Sequence, residues 1–549
     1  MRVGPVVLLA AGALAAGAVL ATQPGRDEHK LVVRFMRAWE HDDVVQMYSL
    51  LDTRSRRQTS EPAFAHELET AAATATETSL APLRVAGRHG DSIRVLVRVK
   101  TKLWGALRET LIVPLSGSGG SARVRLARQL LFPGLRPGEQ LGRHIRLPPR
   151  GSLLAADGEA LATGPDRSSP INDVAVQIVG TLGPIPRQLA GHYAALGYPS
   201  DATIGLDGLE RIFQRRLAGK LGGELVAGRR VLASSNPVQS KPVKTTIVPS
   251  LERAAVASLG GQYAGMSVMN PRTGALEALA GIAFSSVQPP GSTMKIITTT
   301  GALQAGIVTP GSTFPIQTST TIDGFTMQNA SGEACGGTLV NAFAVSCNSV
   351  FAPLGVKLGG ARLVATAERF GFNHQPPIPG AAESTIPSAR DIGDDLSVGS
   401  SAIGQGMVQA TPLEMSDVAA TIAMGGRRPI PTLLAHQRPH FVRVTPARVA
   451  HQVQQMMVAV VQYGTGTSAQ IPGVEVAGKT GTAELKDTST TNPNNPNASN
   501  PQNTDAWFVG YAPVGHPKVV VGALFPNQGA GGAAAAPPVR DVIAAALQH

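Results

Sequence analysis

The chain has 549 residues, 43% of them hydrophobic, which is enough for several globular domains with cores of their own. Its formal net charge is +11, but only 4% of its residues are aromatic and it contains no nucleic-acid-binding motif, so we predict no nucleic-acid partner. The two cysteines and twelve scattered histidines lack the spacing of metal ligands, so we predict neither a metal site nor any other cofactor.

An apolar stretch lies close to the N-terminus. Residues 3–22 contain no charged side chain and follow Arg2, and twenty helical residues are about 30 Å long, enough to cross a bilayer. We predict that residues 1–23 form an uncleaved single-pass anchor; the alternative is a signal peptide cleaved after Val19-Leu20-Ala21. Either way, everything after about residue 24 is expected outside the cytoplasm, and an uncleaved anchor would hold it at the bacterial cell membrane.

Residues 27–138 combine a helical pattern with an alternating one. Apolar residues recur at helical spacing from Val32 to Leu51, and SIRVLVRVKTKLWGALRETLIVPL at 92–115 alternates as paired strands do. We therefore predict a helix followed by a strand meander. Residues 24–150 hold 21 Lys or Arg against 13 Asp or Glu. This excess suits an anionic membrane surface or acidic wall polymers, and equally an ordinary arginine-rich solvated surface.

The stretch PPGSTMKIITTT contains a hydroxyl and an amine three residues apart, on Ser292 and Lys295, at the start of a predicted helix. Residues at this spacing share a helix face, so the amine can reach the hydroxyl. A serine becomes a good nucleophile only when a base takes its proton, and an uncharged lysine can do so. The pKa of a free lysine amine is about 10.4, so the site must lower the pKa of Lys295 by burial or by a neighbouring cation.

Two further motifs follow in order. They are Ser346-Cys347-Asn348, within NAFAVSCNSVFAPLG, and Lys479-Thr480-Gly481, within VEVAGKTGTAELK. The ordered set Ser-x-x-Lys, Ser-x-Asn and Lys-Thr-Gly is the signature of penicillin-binding proteins and serine β-lactamases. The last segment alternates as a short strand, which places Lys479, Gly481 and Ala483 on one face of it.

Residues 250–549 resemble the transpeptidase domain of class B penicillin-binding proteins. Besides the three motifs, the matching stretches are GMSVMNPRTGALEALAG, with a hairpin turn at 271–274, AIGQG at 402–406, and AWFVGYAP at 506–513. The resemblance implies a five-stranded antiparallel sheet flanked by helices, with the nucleophile at a helix start in a central cleft. It also implies that 506–513 is the strand next to the Lys-Thr-Gly strand.

Two N-terminal regions resemble other domains of the same family. LPPRGSLLAADGEALA at 147–162 resembles the opening of the dimerisation (pedestal) domain, although Ala155 and Ala156 stand where an acidic and a basic residue are usual. The ion-pairing role of that motif is therefore in doubt here. The predicted helix and strand meander resemble the NTF2-like N-terminal domain of some class B penicillin-binding proteins. The resemblance is to members of the actinobacterial type. The predicted fold class is thus multidomain α+β, comprising a membrane segment (1–23), an NTF2-like domain (27–138), a pedestal domain (145–245) and a transpeptidase domain (250–549).

The resemblance assigns catalytic roles to three residues. Ser292 attacks the substrate carbonyl to form an acyl-enzyme, Lys295 is the base, and Ser346 relays the proton towards the leaving amine. The oxyanion hole would consist of the backbone N–H groups of Ser292 and Thr482.

The remaining motif residues are predicted to bind substrate. Lys479 supplies the positive charge that keeps Lys295 neutral and attracts the substrate carboxylate. Asn348 holds a substrate backbone amide, and Gly481 lets the substrate backbone approach the strand closely. The complete predicted substrate-binding set is Asn348, Lys479, Thr480, Gly481 and Thr482, the two threonines serving as donors to the carboxylate.

The leading functional hypothesis is DD-transpeptidation of peptidoglycan. The expected partners are stem peptides, with a D-Ala-D-Ala donor and an amine acceptor, β-lactams as covalent inhibitors, and a cell-wall synthesis complex that includes a glycosyltransferase. One alternative is hydrolysis by the same acyl-enzyme, as in a serine β-lactamase or DD-carboxypeptidase. The other is a non-catalytic β-lactam-binding scaffold of a cell-wall complex.

Cys335 and Cys347 could form a disulfide in an exported domain. A bridge would tether the Ser-x-Asn motif and would stabilise the fold by about 2–4 kcal/mol. Two separate buried thiols are the alternative, and the sequence leaves both open.

Overall fold

The computed structural model describes residues 25–485 and 503–548. Its helices are α1 (Arg26–Glu40), α2 (Val44–Ser49), α3 (Thr53–Gln58), α4 (Glu61–Thr74), α5 (Asn172–Ile178), α6 (Ala190–Ala195), α7 (Gly208–Ile212), α8 (Gln214–Leu217), α9 (Pro249–Ser258), α10 (Lys295–Gln304), α11 (Leu339–Ala344), α12 (Asn348–Leu358), α13 (Gly360–Phe370), α14 (Asp395–Ala402), α15 (Pro412–Ala423), α16 (Ala447–Gln462), α17 (Gly531–Ala534) and α18 (Ala536–Leu547).

Its strands are β1 (Glu77–His89), β2 (Ser92–Thr101), β3 (Gly105–Ser116), β4 (Arg123–Val124), β5 (Leu141–Arg146), β6 (Leu153–Leu154), β7 (Ala160–Ala162), β8 (Leu182–Pro184), β9 (Thr203–Gly205), β10 (Gly222–Ala227), β11 (Arg230–Ser235), β12 (Val243–Lys244), β13 (Gly265–Asn270), β14 (Ala275–Gly281), β15 (Thr313–Gln317), β16 (Ser319–Ile322), β17 (Phe325–Gln328), β18 (Cys335–Thr338), β19 (Arg427–Pro429), β20 (Phe441–Arg443), β21 (Ala477–Glu484), β22 (Thr504–Ala512) and β23 (Val519–Phe525).

The predicted anchor at residues 1–23 lies outside the described residues. Within the described ranges, no single helix combines the length and apolar composition needed to cross a bilayer, and only α12 and α13, bent by 100° at their junction, meet both criteria as a pair.

The chain forms two compact units. Of the described residues, the first unit contains those up to 148 together with 185–202 and 220–238, and the second contains 149–184, 203–219 and those from 239 onwards. Parts of the region predicted as one pedestal domain, 145–245, therefore occur in each unit.

The first unit is built around a four-stranded antiparallel sheet of order β1-β2-β3-β4. Alternate residues of β2, from Ile93 to Val99, are buried against the apolar side of α1, which includes Val32, Phe35 and Met36. The predicted helix and meander are thus both present. The assignment of this region to the NTF2-like class remains a prediction.

An ion-pair cluster lies at the start of the second unit. Glu210 is buried, accepts hydrogen bonds from Arg150 Nε (2.5 Å) and Arg167 Nε (2.7 Å), and its backbone carbonyl accepts a third from Arg150 Nη2 (3.0 Å). Arg150 is therefore ion-paired although Ala155 and Ala156 stand where charged residues are usual. Its ionic partner comes from α7, distant in sequence, rather than from the neighbouring motif.

The centre of the second unit is a five-stranded antiparallel sheet of order β14-β13-β23-β22-β21, as predicted. Helices α9 and α18 pack on one face and α15 and α16 on the other. Since helices cover both faces, the central strands are apolar throughout; β23, VVVGALF, is buried at every position.

Two local predictions about this sheet are also confirmed. Residues 271–274 form the turn between β13 and β14, closed by a 2.9 Å bond from the Gly274 N–H to the Asn270 carbonyl. Strand β22 pairs with β21, with Trp507 opposite Gly481 and Val509 opposite Lys479.

Candidate active site

Ser292 lies in a tight turn at the start of α10, as predicted. The turn, Gly291–Met294, has 3₁₀ geometry and is called here the nucleophile turn. Gly291 has φ +52°, and its N–H donates to the carbonyl of Gly404 at 2.9 Å. A Cβ on Gly291 would lie 2.7 Å from the Thr482 carbonyl oxygen, and one on Gly404 would collide with the Gly291 carbonyl. Glycines therefore let three backbone segments meet at the nucleophile.

Lys295 is fully buried at the start of α10. Its Nζ lies within hydrogen-bond distance of the Asn348 Oδ1 (2.7 Å), the Ser346 carbonyl oxygen (2.8 Å) and the Ser346 Oγ (3.2 Å). Burial, reinforced by the charge of Lys479, lowers the pKa of Lys295 well below that of a free lysine amine. A lowered pKa favours the uncharged form of the amine, which is the form that can accept a proton.

The predicted direct contact between Lys295 and the Ser292 hydroxyl is not among the hydrogen bonds of the described residues. The lysine donors are directed instead at the three acceptors of the Ser-x-Asn motif. Helical spacing brings the two side chains to one face, but it does not decide which acceptor the amine selects.

The Ser346 hydroxyl lies between two lysine amines. In addition to the contact with Lys295, its Oγ accepts from Lys479 Nζ at 2.8 Å. Ser346 has φ +63°, a left-handed conformation that is uncommon outside glycine. It belongs to the short connection between α11 and α12, residues 345–347, called here the Ser-x-Asn loop. A side chain held between two amines is placed to pass a proton between them and the substrate.

A disulfide joins Cys335 to Cys347, so the bridged form is the one present. It connects the Ser-x-Asn loop to the start of β18. The loop is thus covalently fixed to β18.

Asn348 is the first residue of α12. Its Oδ1 accepts from Lys295, and its Nδ2 donates to the carbonyl of Gln328, at the end of β17, at 3.0 Å. One N–H and one carbonyl lone pair of the amide remain for a substrate.

Asn329 is a structural neighbour of the site that the sequence did not reveal. It is buried, its Nδ2 donates to the carbonyls of Gln317 (2.8 Å) and Glu333 (2.9 Å), and its Oδ1 accepts from the Ser349 N–H (2.8 Å). It therefore connects the β15–β18 region to the first turn of α12. No motif or spacing marks this asparagine, so only the fold could identify it.

Lys479 is fully buried on β21, and burial lowers its pKa to about 7. Besides the Ser346 hydroxyl, its Nζ contacts the Thr480 carbonyl at 3.1 Å. The predicted positive charge is therefore present on about half of the molecules at neutral pH. The charge of Lys479 contributes in turn to the lowered pKa of Lys295.

The Lys-Thr-Gly strand alternates as predicted, with one difference at Gly481. A Cβ there would lie 2.7 Å from the Pro290 carbonyl oxygen and 3.0 Å from Thr293 Cγ2. Gly481 is therefore needed for close packing of the strand against the nucleophile turn. This requirement exists within the protein itself and adds to the predicted close approach of substrate.

The two threonines of this segment have partners within the protein. Thr480 Oγ1 lies 2.5 Å from Thr465 Oγ1, and Thr482 Oγ1 accepts from the Gly531 N–H at 3.3 Å. The Thr482 hydroxyl proton remains available, because the oxygen acts as the acceptor in that bond.

A cavity of about 530 Å³ adjoins Asn348. Its walls come from β17, from the segment around AIGQG and from the end of β21, and include Gln288, Gln405, Gln409 and Glu484. Of the eight predicted residues, Asn348 lines this cavity. Hydrogen bonds join Lys295 to Ser346 and Asn348, and Ser346 to Lys479.

The family model described as the penicillin binding protein transpeptidase domain matches residues 264–544, and that of the penicillin-binding protein dimerisation domain matches 161–245. Peptidoglycan D,D-transpeptidase PbpA of Mycolicibacterium smegmatis is 38% identical over 297 residues, covering 49% of this chain and 56% of the relative. MrdA of Acinetobacter baumannii, also named a peptidoglycan D,D-transpeptidase, is 26% identical over 451 residues, covering 70% of this chain and 67% of MrdA. The chain matches little more than half the length of its PbpA relatives.

Solved structures agree with these matches. The crystal structure of PBPA from Mycobacterium tuberculosis has a TM-score of 0.58 and 27% identity, covering 73% of this chain and 99% of that one. The penicillin G acyl-enzyme complex of the same protein has a TM-score of 0.57 and 27% identity, with 73% and 100% coverage. This chain therefore belongs to the penicillin-binding protein transpeptidase family, and its combination of a dimerisation and a transpeptidase domain is that of the class B members.

Proposed function

We propose that this protein is a peptidoglycan DD-transpeptidase that cross-links stem peptides through an acyl-enzyme on Ser292 and is acylated by β-lactams. The observation that carries the proposal is the position of the Ser346 hydroxyl between the Lys295 and Lys479 amines, beside the nucleophile turn. The names of the relatives and the acyl-enzyme complexes of the solved structures support the same chemistry.

Acylation begins with proton transfer from the Ser292 hydroxyl to the uncharged amine of Lys295. The Ser292 oxygen then forms a bond to the carbonyl carbon of the penultimate D-Ala of the donor. The negative charge that develops on the carbonyl oxygen is stabilised by the backbone N–H groups of Ser292 and Thr482. Burial of Lys295 favours this step, because it lowers the pKa of the amine and so favours the uncharged form that accepts the proton.

The leaving group needs a proton, and Ser346 is placed to supply it. As the peptide C–N bond breaks, the Ser346 hydroxyl gives its proton to the departing D-Ala amine and recovers one from Lys295. An acceptor amine then attacks the ester, forms the cross-link and returns the proton to Ser292. Lys479, with the hydroxyls of Thr480 and Thr482, holds the donor carboxylate, while Asn348 holds a backbone amide and Gly481 keeps the strand close to the nucleophile turn.

The wider context follows the domain assignment. We place an NTF2-like domain at 27–138, a pedestal at 145–245 and the transpeptidase domain at 250–549. Residues 1–23 would anchor the protein in the bacterial cell membrane with its catalytic domain outside the cytoplasm. A glycosyltransferase of a cell-wall complex would supply the glycan strands, since the proposed activity makes peptide cross-links only.

The test is incubation of the full chain with fluorescent penicillin and, separately, with a D-Ala-D-Ala-ended stem peptide and an amine acceptor. We expect a long-lived adduct on Ser292, release of D-Ala, and a cross-linked product detected by mass spectrometry. Ser292→Ala should abolish all three signals, and Lys295→Ala should nearly abolish them while the protein stays folded.

Other results would identify the alternatives. Rapid turnover of penicillin would indicate a β-lactamase, and D-Ala release without a cross-linked product would indicate a carboxypeptidase. A folded wild-type protein that forms no adduct would leave only a scaffold. Labelling of Lys295→Ala at the wild-type rate would overturn the assignment of the base.

A further inference from the structure

The outer face of the sheet in the first unit carries a group of cations. Buried residues of β2 alternate with Arg94, Leu96, Arg98 and Lys100, which are exposed or half-buried. Because side chains alternate between the faces of a strand, these four share the outer face. We call the following five residues the basic face: Arg84 on β1, Arg94, Arg98 and Lys100 on β2, and Arg108 on β3.

The register of the sheet places no carboxylate on that face. The two acidic residues of these strands, Glu77 and Glu109, pair across from the buried residues Thr101 and Val97 and so belong to the inner face. The outer-face partners of the cations are small or uncharged, apart from Arg108; they include Ala81, Ala106 and Ile112.

None of the five cations forms an ion pair within the described residues. Elsewhere in this unit arginines do find carboxylates, as in Arg88–Glu28, Arg125–Asp91 and Arg230–Glu139. Other exposed arginines of the unit, such as Arg54, Arg56 and Arg57, also have no ion pair among the described residues. What distinguishes the basic face is that five cations share one side of a sheet that carries no carboxylate there.

Stability does not explain the arrangement. Arg98 lies directly opposite Arg108 in the register, and like charges in that position destabilise a sheet. Cations are often placed on edge strands to prevent aggregation, but three of the five lie on β2, which is paired on both sides. The grouped cations lower the stability of the sheet, so we attribute them to a function that requires an anionic partner.

We propose that the basic face docks on the surface of an anionic phospholipid bilayer. From Arg94 to Lys100 the face extends about 20 Å along one strand, across three adjacent strands, which suits an extended anionic surface. Leu96 lies between Arg94 and Arg98 on β2 and is 38% exposed, and Leu83, next to Arg84 in the sequence of β1, is 39% exposed. Such residues can enter the headgroup boundary. The uncharged stretch 3–22 immediately precedes this unit in the sequence.

The expected effect can be stated per charge. A Lys or Arg close to an anionic leaflet strengthens binding by about fivefold. Neutralising three of the five should weaken docking by about a hundredfold, and raising the salt concentration should have a similar effect because the interaction is screened.

The experiment uses the full chain reconstituted in vesicles and a membrane-impermeant amine-acetylating reagent. The acetylation rate of Lys100 measures how accessible the basic face is. The acetylation rate of Lys30, which is exposed on α1, is the internal control. We expect Lys100 to be acetylated at least fivefold more slowly in vesicles containing phosphatidylglycerol than in phosphatidylcholine alone. Lys30 should react equally in both, and 0.5 M salt should remove the difference.

Two matched triple variants complete the test. Arg94→Gln, Arg98→Gln and Arg108→Gln together should abolish the protection of Lys100 without lowering the melting temperature or the acylation of Ser292. The control variant, Arg54→Gln with Arg56→Gln and Arg57→Gln, removes the same charge from the exposed side of α3 and should leave the protection unchanged.

Three results would overturn the proposal. They are equal acetylation of Lys100 in both kinds of vesicle, equal loss of protection in the two triple variants, and protection by dissolved polyphosphate with none by vesicles. The last result would assign the basic face to a soluble acidic polymer instead of a membrane.

Discussion

The pH dependence of acylation is the most direct test of the two buried lysines. In the proposed mechanism Lys295 must be uncharged and Lys479 must be charged. Burial lowers the pKa of Lys479 to about 7, so this residue loses its proton as the pH rises above neutrality. We therefore expect the second-order acylation rate constant for a carboxylate-bearing β-lactam to fall above pH 7, because that constant reports the protonation of the free enzyme.

The size of the fall follows from the pKa. With a pKa of about 7, about one-tenth of Lys479 is charged at pH 8 and about one-hundredth at pH 9, so the rate constant should drop about tenfold per pH unit. On the acid side, protonation of Lys295 should also lower the rate constant, at a pH well below the ordinary lysine range.

The assay is stopped-flow or gel-based labelling of the full chain with fluorescent penicillin between pH 5 and pH 9. Lys479→Arg is the control variant, because a guanidinium stays charged throughout this range. We expect it to label more slowly overall, since the geometry differs, but without the alkaline fall. A wild-type profile that stays flat from pH 7 to pH 9, or a Lys479→Arg profile with the same fall, would refute the reasoning.

Unfolding does not provide an alternative explanation of this profile. The folded-state pKa of Lys479, about 7, lies below the ordinary value of a lysine amine, 10.5, so the unfolded chain binds more protons between these two values. The free energy of unfolding should therefore rise with pH across that window, which is opposite in sign to the change in activity. Chemical denaturation at pH 7 and pH 9 measures it.

Three further perturbations test the supports of the site. Asn329→Ala should lower the free energy of unfolding by about 3 kcal/mol, since it leaves buried backbone groups unpaired, and should slow acylation, whereas unchanged kinetics would exclude a positioning role. Gly404→Ala should slow acylation about a hundredfold through displacement of the nucleophile turn. Gly406→Ala, with a similar positive φ but its nearest neighbouring atom 3.8 Å away, should not, and equal loss in both would contradict the argument. Reducing the Cys335–Cys347 bridge should lower the melting temperature and the labelling rate together; a labelling rate unaffected by reductant would show that the Ser-x-Asn loop keeps its position without the bridge.

Much of the catalytic cleft was predictable because its motifs are local. Ser-x-x-Lys specifies a helix start, and Lys-Thr-Gly specifies an alternating strand, so the sequence also indicates which side chains share a face. The hydrogen bonds between the motifs were less predictable. Lys295 donates to Ser346 and Asn348, and a spacing rule within one helix cannot rank acceptors that come from another segment.

The pedestal region also contains an interaction that the local sequence did not predict. The alanines at 155 and 156 suggested a weakened ion-pairing motif, yet Arg150 is paired with Glu210. A local pattern records the residues next to one another in the chain, whereas a buried charge is satisfied by whichever group the fold brings near. The disulfide was left open for a similar reason, since the separation of two cysteines in sequence does not give the distance between them in space.

By itself, the sequence determined the chemistry of this protein: a serine, two lysines and an asparagine in motifs whose order identifies the family, and strands and helices whose periodicity is strong enough to assign. Only the tertiary structure decided how these groups act on one another. The lowered lysine pKa values arise from burial and from charge–charge proximity, and the pairing of Asn329, Gly404 and Glu210 arises from segments that meet in space. Both are properties of distance in three dimensions, and distance along the chain does not specify them.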